Sequence, residues 1–237
     1  MEPTSTTPPA GKTKHRAAAN VPRGDKQLSE VFDLAVAEWG RRPTFTLAWK
    51  TQAQALALGT ELREALRAAG VATDAVTPKA QRLAALDQLI DGSKAEGKLK
   101  YVKKALALQY DEEDDGKPYY GEFGIAKIGS EYTLPHDRGS RAEALLKLVA
   151  ALAKPAHNLK NGKYGHAFWK AIADEYNDLQ PKTARATGDR AAEVSDKNTL
   201  RAEAEDVLVA LLFLLRANYP KTYKAERRKF GVLKESY

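Results

Sequence analysis

Apolar residues recur every three or four positions along most of the chain, a spacing typical of α-helices with one buried face. The first such stretch places Leu28, Val31, Phe32, Ala35 and Trp39 on one helix face. Glycine and proline interrupt the pattern repeatedly, and each interruption predicts a helix boundary. The sequence therefore predicts separate helices over about 28–39, 44–69, 77–90, 98–110, 144–153, 164–179, 196–218 and 221–229.

Several of these boundaries depend on single residues. Gly70 is expected to stop the second helix, and Thr77-Pro78 is expected to begin the third as an N-cap followed by proline at the first helical position. Pro181 and Gly188 predict a polar connection before the long helix over 196–218. That helix is apolar on almost every side after Asp206, so it should be central.

Residues 111–138 interrupt the helical pattern with an acidic run followed by a stretch rich in glycine and tyrosine. Short extended pieces are expected over 119–128 and 131–134. The predicted fold class is all-α, with two packed helical bundles on either side of this irregular or extended segment. The predicted division is a disordered basic arm over 1–26, an N-terminal bundle over 27–110, a connector over 111–138 and a C-terminal bundle over 139–237.

The two predicted bundles share a local pattern that suggests an internal duplication. Phe45-Thr-Leu-Ala-Trp49 is echoed by Tyr164-Gly-His-Ala-Phe-Trp169, and each opens a predicted helix. Duplication predicts equivalent, largely buried positions for Trp49 and Trp169. The alternative is chance, because helices rich in alanine and leucine resemble one another without common origin.

Composition limits the classes of protein and site. The 237 residues are 43% hydrophobic, which is enough for a sizeable core, and include no cysteine, which excludes disulfides and thiolate metal sites. The longest apolar stretch, Val207–Leu215, is well short of the roughly 20 residues that cross a bilayer. With no apolar run after Met1, the expectation is a cytoplasmic protein without a membrane span.

The charge balance is basic and favours anionic partners. The formal net charge is +7 and the pI is about 9.3. Residues 1–26 contain five lysines and arginines against two acidic residues, so this arm alone contributes +3. The arm lacks periodic apolar residues. Segments of this kind cannot bury enough apolar surface to offset the loss of conformational entropy on folding, so the arm is expected to be disordered.

The acidic run resembles a calcium-binding loop in the spacing of its oxygen ligands. Asp111, Glu113 and Asp115 stand at alternate positions, Gly116 follows at the turn, and Glu122 takes the closing position. Pro118 and the glycines that follow depart from the pattern. The alternative is a solvated acidic loop that balances lysines on the preceding helix, namely Lys98, Lys100, Lys103 and Lys104.

A second candidate site combines the arm with the C-terminal helix as a nucleic-acid-binding surface. Lys221, Lys224 and Arg228 share one face of that helix, with tyrosines and a phenylalanine nearby. Cationic side chains beside aromatic rings suit phosphates and stacked bases. The corresponding residues of the arm are Lys12, Lys14 and Arg16. The alternative is a cationic helix that its aromatic residues anchor to the core.

The closing stretch, Asn218-Tyr-Pro-Lys-Thr-Tyr-Lys-Ala-Glu-Arg-Arg-Lys-Phe-Gly-Val-Leu-Lys-Glu-Ser-Tyr237, resembles the ends of uncharacterised helical proteins of the Bacteroidota. The resemblance covers mainly the last third of the chain. Because no function is established for those proteins, it implies no activity, cofactor or site residue.

The sequence contains no catalytic signature. The four histidines have no partner at metal-ligand spacing, and no nucleophile elbow, dinucleotide fingerprint or zinc-hydrolase helix is present. The leading hypothesis is a non-enzymatic binding or scaffold protein that engages a macromolecule, either protein or nucleic acid. No cofactor is expected, unless the acidic run binds calcium. A nucleic-acid-associated protein is the second hypothesis, and an enzyme of unknown class is the third. The sequence does not indicate an oligomeric state.

Overall fold

A computed structural model describes residues 21–92, 97–110, 117–155 and 162–232 of the chain. Within these ranges almost all regular structure is helical, and the predicted all-α class is confirmed. The α-helices are α1 (Asp25–Gly40), α2 (Gln52–Asp91), α3 (Leu99–Gln109), α4 (Arg138–Leu152), α5 (His166–Asn218) and α6 (Tyr223–Lys229). A 3-10 helix spans Lys117–Phe123, and two short strands are β1 (Ala126–Ile128) and β2 (Glu131–Thr133).

The chain forms two compact units whose boundaries differ from the predicted succession of bundles. Among the described residues, the first unit combines 21–68 with 194–232, and the second comprises those between 69 and 193. The difference arises because α2 and α5 are long, and each contributes residues to both units. The first unit also includes residues that the sequence assigned to the arm, since Val21 is buried and α1 begins at Asp25.

The predicted breaks inside α2 and α5 are wrong, because both helices continue through their glycine and proline residues. Pro78 and Pro181 lie in helix interiors, where proline removes a backbone hydrogen bond at a cost of about 3 kcal/mol. Packing of the flanking turns outweighs that local preference, since α2 contributes buried residues on both sides of Pro78. Threonine hydroxyls add hydrogen bonds nearby, at 2.9 Å from Thr77 to the carbonyl of Thr73 and at 2.8 Å from Thr183 to that of Leu179.

The core of the first unit forms around one face of α1. The face predicted from spacing is buried, and it packs with apolar residues of α2, α5 and the turn after α6. The buried members from those elements include Ala55, Leu58, Leu62, Val207, Leu211, Leu215 and Phe230. At the start of α1, Asp25 forms ion pairs with Lys197, at 2.7 Å, and with Arg201. Burial alone would raise the pKa of Asp25, but these two cations outweigh it and hold the pKa below the ordinary value.

The second unit buries a separate core beneath α3, α4 and the first turns of α5. Its largest fully buried side chains include Leu83, Leu86, Ile90, Leu106, Phe123, Leu134, Trp169 and Tyr176. Helix α4 begins where the Asp137 carboxylate accepts a hydrogen bond from the backbone N–H of Ser140, at 2.9 Å. This cap satisfies one of the donors that the start of a helix leaves without a partner.

The segment that the sequence predicted as extended is only partly so. Residues 117–123 form a 3-10 helix, whereas β1 and β2 pair as an antiparallel hairpin with Ile128 opposite Glu131. Gly129 lies in the two-residue turn with a φ of 61°, the left-handed region that glycine adopts without strain. Gly124 ends the 3-10 helix with a φ of 69°, and its backbone lies directly against α4 at Ala144.

The two tryptophans that motivated the duplication are not equivalent. Trp169 is fully buried in α5, whereas Trp49 is 53% exposed and precedes the first residue of α2. The predicted equivalence is therefore wrong. The local resemblance between the two stretches does not correspond to matching structural positions, since only one of them continues directly into a helix.

Candidate anion-binding site

Lysines of α3 line a cavity in the second unit. The helix buries one face in the core, through Leu99, Val102 and Leu106. Lysines occupy positions between these apolar residues, and Lys100, Lys103 and Lys104 line a cavity of about 840 Å³. That volume falls within the range of about 300–1,000 Å³ typical of ligand sites.

The other walls of this cavity come from the 3-10 helix and β2. The 3-10 helix contributes Lys117 and Tyr120, and β2 contributes Glu131 and Tyr132. Four lysines and one glutamate thus meet around two tyrosine rings. We refer to this site, defined by its four lysines, as the lysine cavity. Its charge and its aromatic surface together favour an anionic ligand with flat or apolar parts.

Direct contacts hold the walls of the lysine cavity together. The ammonium of Lys103 donates a hydrogen bond of 2.9 Å to the backbone carbonyl of Tyr132, which connects α3 to β2. The rings of Tyr120 and Tyr132 meet edge to face, with centroids 5.2 Å apart, which connects the 3-10 helix to the same strand. Lys103 is therefore a structural lysine as well as a lining residue.

A buried arginine fixes the chain immediately after the hairpin. The guanidinium of Arg141 donates hydrogen bonds to the carbonyl of Pro135 at 2.6 Å and to the carboxylates of Asp87 and Asp91 at 2.8 Å each. The hydroxyl of Tyr176 donates a further bond of 2.9 Å to Asp87. Because Arg141 connects α4 to α2 and to the end of the hairpin, it positions the strand that supplies Glu131 and Tyr132 to the cavity.

The pKa values around Arg141 shift in the directions that burial dictates. Burial raises the pKa of Asp91 in spite of the neighbouring Arg141. Burial and the hydrogen bond to Asp87 raise the pKa of the Tyr176 phenol well above its ordinary value. The hydrogen bonds among Arg141, the two aspartates and Tyr176 pair these polar groups with one another, as is typical of a structural network.

A row of aromatic rings in the second unit begins at Tyr101, the residue after the cavity-lining Lys100. Tyr101 stacks on Tyr164, with centroids 4.5 Å apart and planes inclined by 21°. Tyr164 then meets Phe168 edge to face at 5.1 Å, and Phe168 meets Trp169 in the same way at 5.4 Å. We call these four residues the aromatic row. It extends from the exposed Tyr101 to Trp169 in the buried core.

The predicted calcium ligands cannot be compared as a set, because Asp111, Glu113 and Asp115 lie outside the described residues. Glu122 is described; it lies on the 3-10 helix and its carboxylate contacts the ammonium of Lys154. In the described part of the chain, no group of three or more potential metal-ligating side chains comes together. Calcium binding stays a prediction, which calorimetry on the wild-type protein and Glu122→Gln would test.

The predicted nucleic-acid surface is also only partly within the described ranges. Lys12, Lys14 and Arg16 lie outside them. Lys221 precedes α6, Lys224 and Arg228 lie on it, and all three side chains are exposed.

The aromatic residues beside α6 are engaged within the first unit. Phe230 is fully buried, and Tyr219 packs against the same core. The Arg42 guanidinium lies 5.1 to 5.6 Å from the ring centroids of Phe45, Tyr219 and Phe230. Rings held in this way are poorly placed to stack on bases, although the exposed cations beside them could still contact phosphate.

Sequence reasoning did not identify the lysine cavity. The lysines of α3 are visible in the sequence, where they suggest only a charge balance for a solvated acidic loop. The other walls come from residues more than a dozen positions away, and no local pattern shows that they converge. The one local signal was the combination of tyrosines with lysines over residues 98–132.

Comparison of the chain with protein-family models, with curated proteins and with solved structures gives no match. Among the described residues, no helix is both long and apolar enough to cross a membrane. The functional interpretation therefore depends on the geometry of the candidate site.

Proposed function

We propose that this chain is a non-enzymatic binding protein that engages an anionic macromolecule through the lysine cavity. The observation that supports the proposal is the convergence of Lys100, Lys103, Lys104 and Lys117 on one cavity, where Glu131 is the one acidic lining residue among those that the structure describes. An anion in the cavity is attracted by all four ammonium groups at once.

A macromolecular ligand fits better than a small metabolite for two reasons. The lysines are spread over α3 and the 3-10 helix, so they suit several phosphates or carboxylates along a chain. The whole protein also has a net charge of +7, which attracts a polyanion over a longer range than a single small ion.

The proposal is tested by calorimetry with inorganic polyphosphate at low ionic strength. Lys100, Lys104 and Lys117 are changed together to glutamine, and Lys103 is kept because it also supports β2. We expect the affinity to fall by more than about tenfold, because three cationic contacts with phosphate are removed. Circular dichroism establishes that the variant retains its helices.

A matched control removes the same charge from the same unit. Lys147, Lys170 and Lys182 lie on α4 and α5, are exposed, and do not line the cavity. Their change to glutamine should leave polyphosphate affinity within about threefold of the wild type, which is the effect of net charge alone. Equal losses in the two triple variants would refute the lysine cavity as the binding site.

The arm and α6 provide the alternative nucleic-acid surface. Deletion of residues 1–20 removes Lys12, Lys14 and Arg16, and Lys221, Lys224 and Arg228 can be changed to glutamine in the full chain. If this surface is the main contact, these changes should weaken binding more than the cavity variant does. If a scaffold role without polyanion binding is correct, polyphosphate should bind neither the wild type nor any variant.

A further inference from the structure

Among the nine tyrosines that the structure describes, six form ring pairs in the second unit. These pairs are Tyr101 with Tyr164, Tyr110 with Tyr119, and Tyr120 with Tyr132. The last pair lines the lysine cavity, and the first begins the aromatic row. A site for a purely ionic ligand has no need of so many rings, so their density beside the lysines points to a ligand with flat groups.

Lysine ammonium groups surround the exposed end of the aromatic row. The Lys100 ammonium lies 5.3 Å from the centroid of the Tyr101 ring, and Lys100 also lines the cavity, so the two features are continuous. The ammonium groups of Lys98 and Lys163 lie 5.8 and 5.5 Å from the centroid of the Tyr164 ring. Tyr101 itself is 38% exposed, so the residue is accessible to a ligand beside the Lys100 ammonium.

We propose that the ligand of this surface is single-stranded nucleic acid, with a base stacked on Tyr101 and the neighbouring phosphates held by Lys98, Lys100 and the lysine cavity. The inference rests on the proposed function and adds the class of polyanion to it. Single-strand-binding sites combine a cationic groove for the backbone with exposed aromatic rings for the bases. In a duplex the bases are stacked on one another, so they cannot reach such a ring.

The row behind Tyr101 makes it a suitable stacking surface. Tyr164 packs against one side of the Tyr101 ring and is itself fixed by Phe168, which contacts the buried Trp169. A ring held in this way loses little further freedom when a base stacks on it, and such preorganisation favours binding. Because any base has a flat face, the site should show little sequence preference.

The first test compares two strands on the wild-type protein. Oligo(dT) and an abasic strand of the same length have the same phosphates, but only oligo(dT) has bases. Stacking of one base contributes enough that we expect the abasic strand to bind about tenfold more weakly. Equal affinities for the two strands would overturn the inference, while the proposed polyanion site would stand.

The second test changes the ring at one position. Tyr101→Leu keeps apolar bulk but removes the ring, and it should lower oligo(dT) affinity about tenfold without changing polyphosphate affinity. Tyr101→Phe keeps the ring and is the matched control, with an expected affinity close to that of the wild type. If Tyr101→Leu binds oligo(dT) as well as Tyr101→Phe does, the base does not stack there and the inference is wrong.

The two tests separate the inference from the proposed function. The triple change of Lys100, Lys104 and Lys117 should weaken both oligo(dT) and polyphosphate, whereas Tyr101→Leu should weaken oligo(dT) alone. If the lysine changes leave both ligands unaffected, the proposed function fails as well. A preference for duplex over oligo(dT) would overturn the inference of a single-stranded ligand, while the proposed polyanion binding would stand.

Discussion

Replacement of Arg141 by methionine should destabilise the second unit strongly, because the change removes a buried charge that satisfies several acceptors. The Arg141 side chain is only 5% exposed, and its loss leaves Asp87 and Asp91 without their main partner. Methionine fills much of the volume of the arginine stem, so the loss reports chiefly on charge and hydrogen bonds. Removal of one partner from a buried ion pair costs about 3–5 kcal/mol. The two carboxylates keep some contact with solvent, so we expect about 3 kcal/mol, the lower end of that range.

Amide hydrogen exchange measured on peptides of each unit is the suitable assay, since it reports local stability. A loss of about 3 kcal/mol corresponds to exchange roughly a hundredfold faster in α4. Peptides of α1, in the first unit, serve as the internal reference. The matched control is Lys170→Met, because Lys170 and Asp174 form an exposed pair at 2.6 Å that contributes at most about 0.5 kcal/mol.

The expected effect of Arg141→Met also depends on pH. Burial raises the pKa of Asp91 above its ordinary value, and protonation of this carboxyl removes a charge that the variant leaves unpaired. The difference from the wild type should therefore shrink as the pH falls through that raised value. Exchange in α4 less than about tenfold faster at neutral pH would refute the reasoning, since the loss would then be below about 1.4 kcal/mol. That result would mean that water replaces the guanidinium at little cost.

Further predictions concern the turn glycines and the start of α1. Both Gly124→Ala and Gly129→Ala place a side chain at positive φ, which costs about 1–2 kcal/mol. The two sites differ in space, because the new Cβ at position 124 would lie 2.5 Å from the Ala144 carbonyl oxygen, whereas the new Cβ at position 129 would have no atom beyond the adjoining residues within 4 Å. Chemical unfolding should therefore show a loss at Gly124 at least about 1 kcal/mol larger than at Gly129, and equal losses would contradict the close packing. Asp25→Asn should cost about 1 kcal/mol at neutral pH. The pKa of Asp25 is lower in the folded chain than in the unfolded chain. Its contribution to the free energy of unfolding is therefore present above about pH 4 and is lost as the pH falls through the pKa of the folded state. The stabilities of the mutant and the wild type should converge in acid.

The helical class could be predicted because burial follows local periodicity in this chain. Every residue of the α1 face expected from spacing, from Leu28 to Trp39, is buried. The apolar stretch of α5 also supplies Val207, Leu208, Leu211 and Leu215 to the core, although Phe213 between them is exposed. Periodicity therefore identified the buried face of α1. For α5, the expectation of burial on almost every side is wrong at Phe213, which is 68% exposed.

Helix boundaries and the candidate site could not be predicted in the same way. Pro78 and Pro181 are strong local signals for a break, yet packing of the turns around each outweighs the local cost. Trp49 carries the same aromatic pattern as Trp169 and is nevertheless exposed, since its burial depends on the tertiary fold. The lysine cavity depends on three elements that meet only in the folded second unit, so composition indicated an anionic partner but not the surface that binds it.

The salt dependence of oligo(dT) binding tests the central claim most directly. For single strands the logarithm of the binding constant falls with the logarithm of salt concentration by about 0.7 for each phosphate neutralised. If Lys100, Lys104 and Lys117 each neutralise one phosphate, their change to glutamine should reduce this slope by about 2, whereas the change of Lys147, Lys170 and Lys182 should leave it nearly the same. A slope that is equal in the wild type and in both triple variants would contradict the account, because phosphate would then be bound elsewhere.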